Sequence, residues 1–418
     1  MQTARGSLQA RRFTAASLTI AILGPAACDS PDLSTPAAWC VADSGVAVAF
    51  TPADDPGAWA RNGRGSPRFV ELWRAGGLNE GEELSFPLGA AASRSGRLAI
   101  ADFELSELAV VDADGSWQER WATPGEGPGE LGFPVAANWV TGDTAVAVFD
   151  IGNAKVLFLD SAGPTHPDRR LPIEMTIPVF ASGSLDWAGV DPTGRALIEP
   201  SPEPQSLSGD PGAVRTRSVL LRSKGDGVSF DTIASGSTPT VGGPPPYQYA
   251  RAPGWPELVE ALGPGGLVAV GGDTDRYRVR VLDGSGATRV VCRDAPGLPM
   301  TERETRRPDD ARAEPEFEAA VAAAPRPDAP APMGRLLISA DGRLWVQRDR
   351  PSVLRYAEGY QGVPGARYDV FDADGAYLGE VRAPEGARFQ AALGDTVWAF
   401  EIGELDETWV VAYEMRWD

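Results

Sequence analysis

Six side chains sit at corresponding places, just past short apolar runs: Asp102, Asp150, Glu199, Asp273, Arg348 and Glu401. Five carboxylates and one guanidinium so placed would line one mouth of a ring of repeats. Carboxylate oxygens of that kind hold hard cations such as calcium. The same residues also have a purely structural use, because Asp accepts hydrogen bonds from backbone groups of its own turn. Asp102, and Asp150 with Asn153, fit that use. A second set of residues is built for contact. Tyr247 and Tyr249 lie in the stretch 235–253, and Arg348, Arg350, Arg355, Tyr356, Tyr360 and Tyr368 lie in 348–368. Tyr and Arg anchor binding surfaces because they combine large area with directed hydrogen bonds. These stretches are the expected contact surface for a protein, peptide or glycan, although tyrosines in Pro-rich loops also serve simply to pack them down.

Other chemistry is missing. His166, in SAGPTHPD, is the only histidine of the chain. It has no second His for a zinc site, and a Ser-His-Asp triad would have to use it; we read it as a surface residue. No P-loop, no dinucleotide fingerprint and no paired CxxC occurs, and glycine strings such as 263–266 belong to turns. The chain carries 38 Lys+Arg against 58 Asp+Glu, a net charge of −20. That balance excludes nucleic acid as a partner, since its phosphates would be repelled. It also excludes docking on anionic lipid through a basic patch.

The elements that position these side chains repeat. A tight polar turn followed by a short apolar run occurs six times, with turn glycines at Gly96, Gly142, Gly194, Gly265, Gly342 and Gly394. Runs such as LAIA, AVAVF and VWAF do not alternate, so they read as strands buried on both faces. The strand before each turn is rich in small residues, as a crowded axis requires. A second apolar strand follows each run, and in four copies a more polar strand (117–122, 228–234, 288–293, 377–382) comes after it. Gly 48 and Pro 37 in 418 residues suit many strands joined by turns. The fold class is therefore all-β, a six-bladed β-propeller. The last unit has only three strands, 387–393, 396–401 and 408–415, and Arg68–Arg74 (RFVELWR) is expected to close the ring as its fourth. Residues 45–50 remain unassigned and leave room for a degenerate seventh blade.

In such a blade one face carries the short turns and the other the long links, here 123–134, 174–185, 200–216, 235–253, 295–335 and 348–367. Insert 295–335, between blades 4 and 5, is distinct. Thr301 to Glu304 reads as a capping box and 309–324 as a short Ala- and Glu-rich helix, either a partial lid or a solvated rim helix.

The N-terminus reads as an export signal. Arg5, Arg11 and Arg12 form a positive region, Phe13 to Leu23 an apolar one and Gly24 to Cys28 a small-residue end. Pro25-Ala26-Ala27-Cys28 resembles a bacterial lipobox, which implies a lipid on Cys28 after cleavage, the alternative being plain cleavage near Ala27. The layout is then 1–28 signal, 29–65 tether and N-terminal segment, and 66–418 propeller, placed in the cell envelope with membrane contact only through the lipid. Cys40 and Cys292 remain. An oxidising compartment allows them to pair, but the expectation is two buried, unpaired thiols.

Asp150-Ile151-Gly152-Asn153-Ala154-Lys155-Val156 matches the D-x-x-N-x-[RK]-[IV] segment of NHL repeats, and 124–134 (PGEGPGELGFP) matches their Gly-rich link ending in Pro. The chain thus resembles six-bladed NHL-repeat propellers, and its layout resembles propeller lipoproteins of soil bacteria. Two functions follow. One is a binding module acting through the long-loop face, without a cofactor. The other is a carboxylate-metal hydrolase resembling gluconolactonase-type propellers, using some of Asp102, Asp150, Glu199, Asp273 and Glu401 with calcium.

Overall fold

The computed structural model describes residues 39–40 and 46–417, apart from 80, 119, 141, 173–187, 200–202, 207–212, 227–228, 243–248, 252–257, 273–275, 284–285, 300–329 and 349–364. The apolar runs form strands buried on both faces: Leu98, Ala99, Ile100 and Ala101 have no exposed surface, and neither do Val146, Ala147, Val148 and Phe149. A strand with two apolar faces needs a sheet on each side, and six sheets around an axis supply it.

The blades are antiparallel sheets. Blade 1 has strands Pro87–Ala92, Leu98–Asp102 and Glu107–Val111. The bridges Val111–Trp117 and Leu108–Ala122 stand where its fourth strand would be. Blade 2 has Pro134–Trp139, Val146–Asp150 and Lys155–Asp160, edged by two short pieces, and blade 3 begins with Ala188–Val190 and Ala196–Ile198. Blade 4 runs Val259–Leu262, Val268–Gly271, Arg278–Asp283 and Gly286–Arg293; blade 5 runs Arg335–Ile338, Leu344–Gln347, Arg367–Phe371 and Tyr377–Arg382. Blade 6 has Arg388–Leu393, Thr396–Ile402 and Thr408–Arg416, and its outer strand is Arg68–Gly76 from the N-terminal side. The closure expected from RFVELWR is therefore the one formed. Six apolar clusters fill the six spaces between neighbouring blades.

The short-turn face is stitched by a repeated turn. Ser93, Asp191 and Ser339 each accept the backbone N–H four residues on, from Arg97 (2.9 Å), Arg195 (3.0 Å) and Arg343 (2.9 Å). Gly96 and Gly342 hold φ of +86° in these turns, a conformation that disfavours a side chain. Arg97 donates to Asp143 O at 2.5 Å and Arg343 to Gly394 O at 2.9 Å, so each arginine ties its turn to the next blade.

Two features differ from expectation, and one open question is closed. Cys40 and Cys292 are joined in a disulfide with Cα atoms 6.1 Å apart, not left as free thiols. The unassigned stretch starts no seventh blade, in keeping with the six expected; Ala47–Thr51 pairs in parallel with Gly286–Arg293 as a fifth strand on the edge of blade 4. The stretches 200–216 and 235–253 are not simply loops. Ala213–Ser223 and Phe230–Gly242 pair along their whole lengths, flanked by Glu203–Ser206 and Tyr249–Arg251. The inner neighbour Ala196–Ile198 reaches only Leu221 and Arg222. The rest of this hairpin, from residue 220 back to 213, runs on for about 26 Å at 3.3 Å per residue as an arm. The expected helix at 309–324 lies outside the described residues.

The N-terminal segment forms a belt over three blade edges. Ala47–Thr51 covers blade 4. A short helix, Gly57–Arg61, follows; its Trp59 packs against Gly379 in the outer strand of blade 5, where an added Cβ would meet the indole at 2.7 Å. Arg68–Gly76 then completes blade 6.

Candidate functional site

Of the strand-end residues, Asp102 and Asp150 prove to be backbone clamps, whereas Glu401 bonds other side chains. The Asp150 carboxylate is fully buried. It accepts Gly132 N (2.9 Å), Phe133 N (2.8 Å), Gly152 N (3.1 Å), Asn153 N (3.3 Å) and Asn153 Nδ2 (2.8 Å). Asp102, equally buried, accepts Ser85 N (2.8 Å), Phe86 N (3.2 Å) and Leu105 N (3.0 Å). Both oxygens of each carboxylate already face N–H hydrogens. A cation needs those lone pairs, so Asp102 and Asp150 do not fit as calcium ligands in this arrangement. Among the described residues no group of three or more His, Cys, Asp or Glu side chains is placed to hold a metal. Glu199 is buried. Glu401 accepts hydrogen bonds from the Tyr413 hydroxyl and from Arg74 Nη2 (3.0 Å). Burial, and then the bond to Glu401, pushes the Tyr413 hydroxyl well above the usual phenol range. Asp273 lies outside the described residues.

Arg348 occupies the corresponding place in blade 5 and works with the opposite sign. It is buried, and it donates to Pro296 O (2.7 Å) and Pro332 O (3.2 Å), one carbonyl on each side of the 295–335 insert. Gly297 lies so near Pro330 that a Cβ would sit 1.9 Å from its carbonyl oxygen, so the two ends of the insert meet as a stem that Arg348 clasps. Its Nη1 also reaches Asp369 Oδ2 at 3.2 Å, and Arg293 bonds the other oxygen of Asp369. Tyr377 donates to that carboxylate at 3.2 Å, beneath the Arg293 guanidinium at 4.2 Å from its ring. Burial and then the Asp369 charge raise the Tyr277 and Tyr377 hydroxyls far above their ordinary range, so both stay neutral. Asp369 thus has charged and hydrogen-bonding partners in place for its buried charge.

Of the tyrosine and arginine set, Arg350, Arg355, Tyr356, Tyr360 and Tyr247 lie outside the described residues, and Tyr249 is placed only as the first residue of a strand. Tyr368 is buried; it stacks on Phe389 at 5.1 Å and donates to Gln347 Oε1 at 3.2 Å. His166 is exposed beside Thr165, where it forms a 2.9 Å hydrogen bond.

The structure adds residues that the sequence reading passed over. Phe86 and Phe133 each precede the proline that begins an innermost strand, and both are 39% exposed on the long-loop face. Phe103, next to Asp102, lies between them, 6.1 Å edge-on from Phe86 and 5.0 Å stacked on Phe133. The clamps hold this row in place, because the amides bound by Asp102 and Asp150 include those of Phe86 and Phe133 themselves. The signal was readable: SFPLGAA and GFPVAAN repeat the same Phe-Pro doublet ahead of a small-residue strand.

No protein-family model and no curated protein matches the chain. Similar solved structures include a gluconolactonase from Xanthomonas campestris (13% identity, 88% of this chain and 97% of that one, TM-score 0.40). A member of the DUF4221 family from Bacteroides vulgatus shows 10% identity over 85% and 100% of the two chains, with a TM-score of 0.45. Regucalcin from Agrobacterium tumefaciens, a calcium-binding protein, shows 13% identity over 88% and 98%, with a TM-score of 0.35.

Proposed function

We propose that this propeller is exported, anchored in the cell envelope, and acts as a binding module for a protein, peptide or glycan through its long-loop face. One observation carries the reading. The buried carboxylates at the ends of two strands are committed to backbone amides, and what they hold toward solvent is a row of aromatic rings. Residues committed in this way serve display better than proton transfer or metal chemistry. The Cys40–Cys292 disulfide fits an oxidising compartment, as do the signal-like residues 1–28 and the lipobox resemblance at Cys28. No helix among the described residues is long and apolar enough to cross a membrane, so a lipid on Cys28 would supply the attachment. The NHL resemblance at Asp150–Val156 agrees with this reading, since Asp150 and Asn153 there serve the link between blades.

The test separates this reading from the carboxylate-metal hydrolase. Metal content of the purified protein is measured, together with melting in calcium and in chelator and a screen of lactones and esters. The binding module is expected to hold no stoichiometric ion, to melt at the same temperature in both, and to hydrolyse nothing. A stoichiometric divalent ion with turnover that chelator abolishes would replace it with the hydrolase.

A further inference from the structure

The Phe86–Phe103–Phe133 row has a charge as well as a shape. The segments that carry it, 82–86, 103–107 and 124–133, contain Glu82, Glu83, Glu104, Glu107, Glu126 and Glu130 and no Lys or Arg. Arg120 reaches in from outside, but it is engaged with Glu107 at 2.7 Å and with Glu83 O at 2.8 Å. Glu104, next in sequence to Phe103, is exposed and accepts the Ser85 hydroxyl at 2.6 Å. Glu126 is exposed in the link that leads to Phe133. Among the described residues neither Glu104 nor Glu126 has a Lys or Arg partner. The face of an aromatic ring attracts a cation, and a neighbouring carboxylate adds to that attraction. Rings held by buried hydrogen bonds need little ordering when a ligand arrives.

We propose that Phe86, Phe103 and Phe133, with Glu104 and Glu126, form a docking surface for the arginine and lysine side chains of a basic peptide segment. The proposal rests on the binding-module reading and names its ligand class. Charge complementarity selects the occupant: these carboxylates repel an anionic ligand and offer a neutral one only hydrogen bonds, whereas a guanidinium or ammonium adds charge pairing with Glu104 or Glu126 to its attraction for a ring face.

A basic peptide also feels the net charge of −20 anywhere on the protein, so the test holds that charge constant. Binding of a fluorescein-labelled peptide of alternating Arg and Gly is followed by anisotropy in about 150 mM salt, where long-range attraction is screened. The full chain is compared with Phe86→Ala/Phe133→Ala, which has the same charge, and with Glu104→Gln/Glu126→Gln. The double Phe variant is expected to bind about tenfold more weakly, two modest cation–π contacts being lost, and the double Gln variant a few-fold more weakly. Both variants alter exposed side chains, and unchanged melting confirms their fold. Equal affinity of wild type and the double Phe variant would overturn the surface. So would wild-type binding of maltohexaose or of a Gln-Gly peptide with no preference for Arg; that outcome would leave the binding module standing with another ligand class. Failure of the module itself is read separately, from the metal and turnover measurements.

Discussion

Blades 1 and 2 on one side and blade 5 on the other solve one problem with opposite charges. Each must fasten a long inter-blade link to the end of its second strand. Asp102 and Asp150 do so by accepting backbone N–H groups, whereas Arg348 donates to backbone carbonyls. The charge at this position therefore follows from which backbone group the link presents, not from a shared ligand. The surroundings differ accordingly. The two Asp sites need no counter-cation because amide dipoles face them from several directions. The Arg site carries a buried Asp369, a second arginine and two neutral tyrosines.

The largest effect is expected where one carboxylate serves most amides. Asp150→Ala would leave several buried N–H groups without a partner and cost roughly 3–5 kcal/mol, since each unsatisfied group costs about 1–3; Asp102→Ala should cost less, having fewer amides. Thermal or denaturant unfolding measures both. If the two variants unfold like wild type, the clamp account fails.

Next is the clasp in blade 5. Arg348→Met should cost roughly 3 kcal/mol, because Asp369 loses one of two cationic partners in a buried site. It should also speed limited proteolysis within 300–329, which Asp150→Ala should not do. Equal cleavage in both variants would blur the comparison. The Cys40–Cys292 bond closes 252 residues, and reduction should lower stability by roughly 2–4 kcal/mol. Melting with and without reductant reads this directly.

The smallest expected effect is at high pH. Tyr377 and Tyr413 have hydroxyls raised above their ordinary value of 10.0 by burial. The folded protein therefore holds protons that the unfolded chain gives up. The stability is fully present below pH 10 and is lost as pH rises beyond it. Tyr377→Phe and Tyr413→Phe should each flatten that decline, and a decline of equal slope in both would point to other groups.

How much was readable beforehand depended on the kind of signal. The apolar runs around Ile100 and Val148 fail to alternate, and that alone requires sheets on both sides, so the propeller and its closure by Arg68–Gly76 were legible. The Asp102 and Asp150 clamps were legible as one of two uses, because turn-capping is local. The disulfide was not, since 252 residues of separation carry no information about distance. Nor was the parallel strand Ala47–Thr51, whose partner Gly286–Arg293 is just as remote. The blade 3 arm was hidden because 235–253 is rich in Gly and Pro, which masks a strand that sits beyond the packed sheet. Phe86 and Phe133 were overlooked because single exposed aromatics are common; only their repeated place before Pro marks them.

The belt has a mechanical side. Any pull on the chain ahead of Cys40 enters the molecule at Cys292, in the outer strand of blade 4, through a covalent bond. The load then passes across the hydrogen bonds of that sheet in shear. The segment after Cys40, which supplies the strand that seals blade 6, is joined to the same point by its backbone, so the bond gives tension at the N-terminal end a second route that bypasses the closure of the ring.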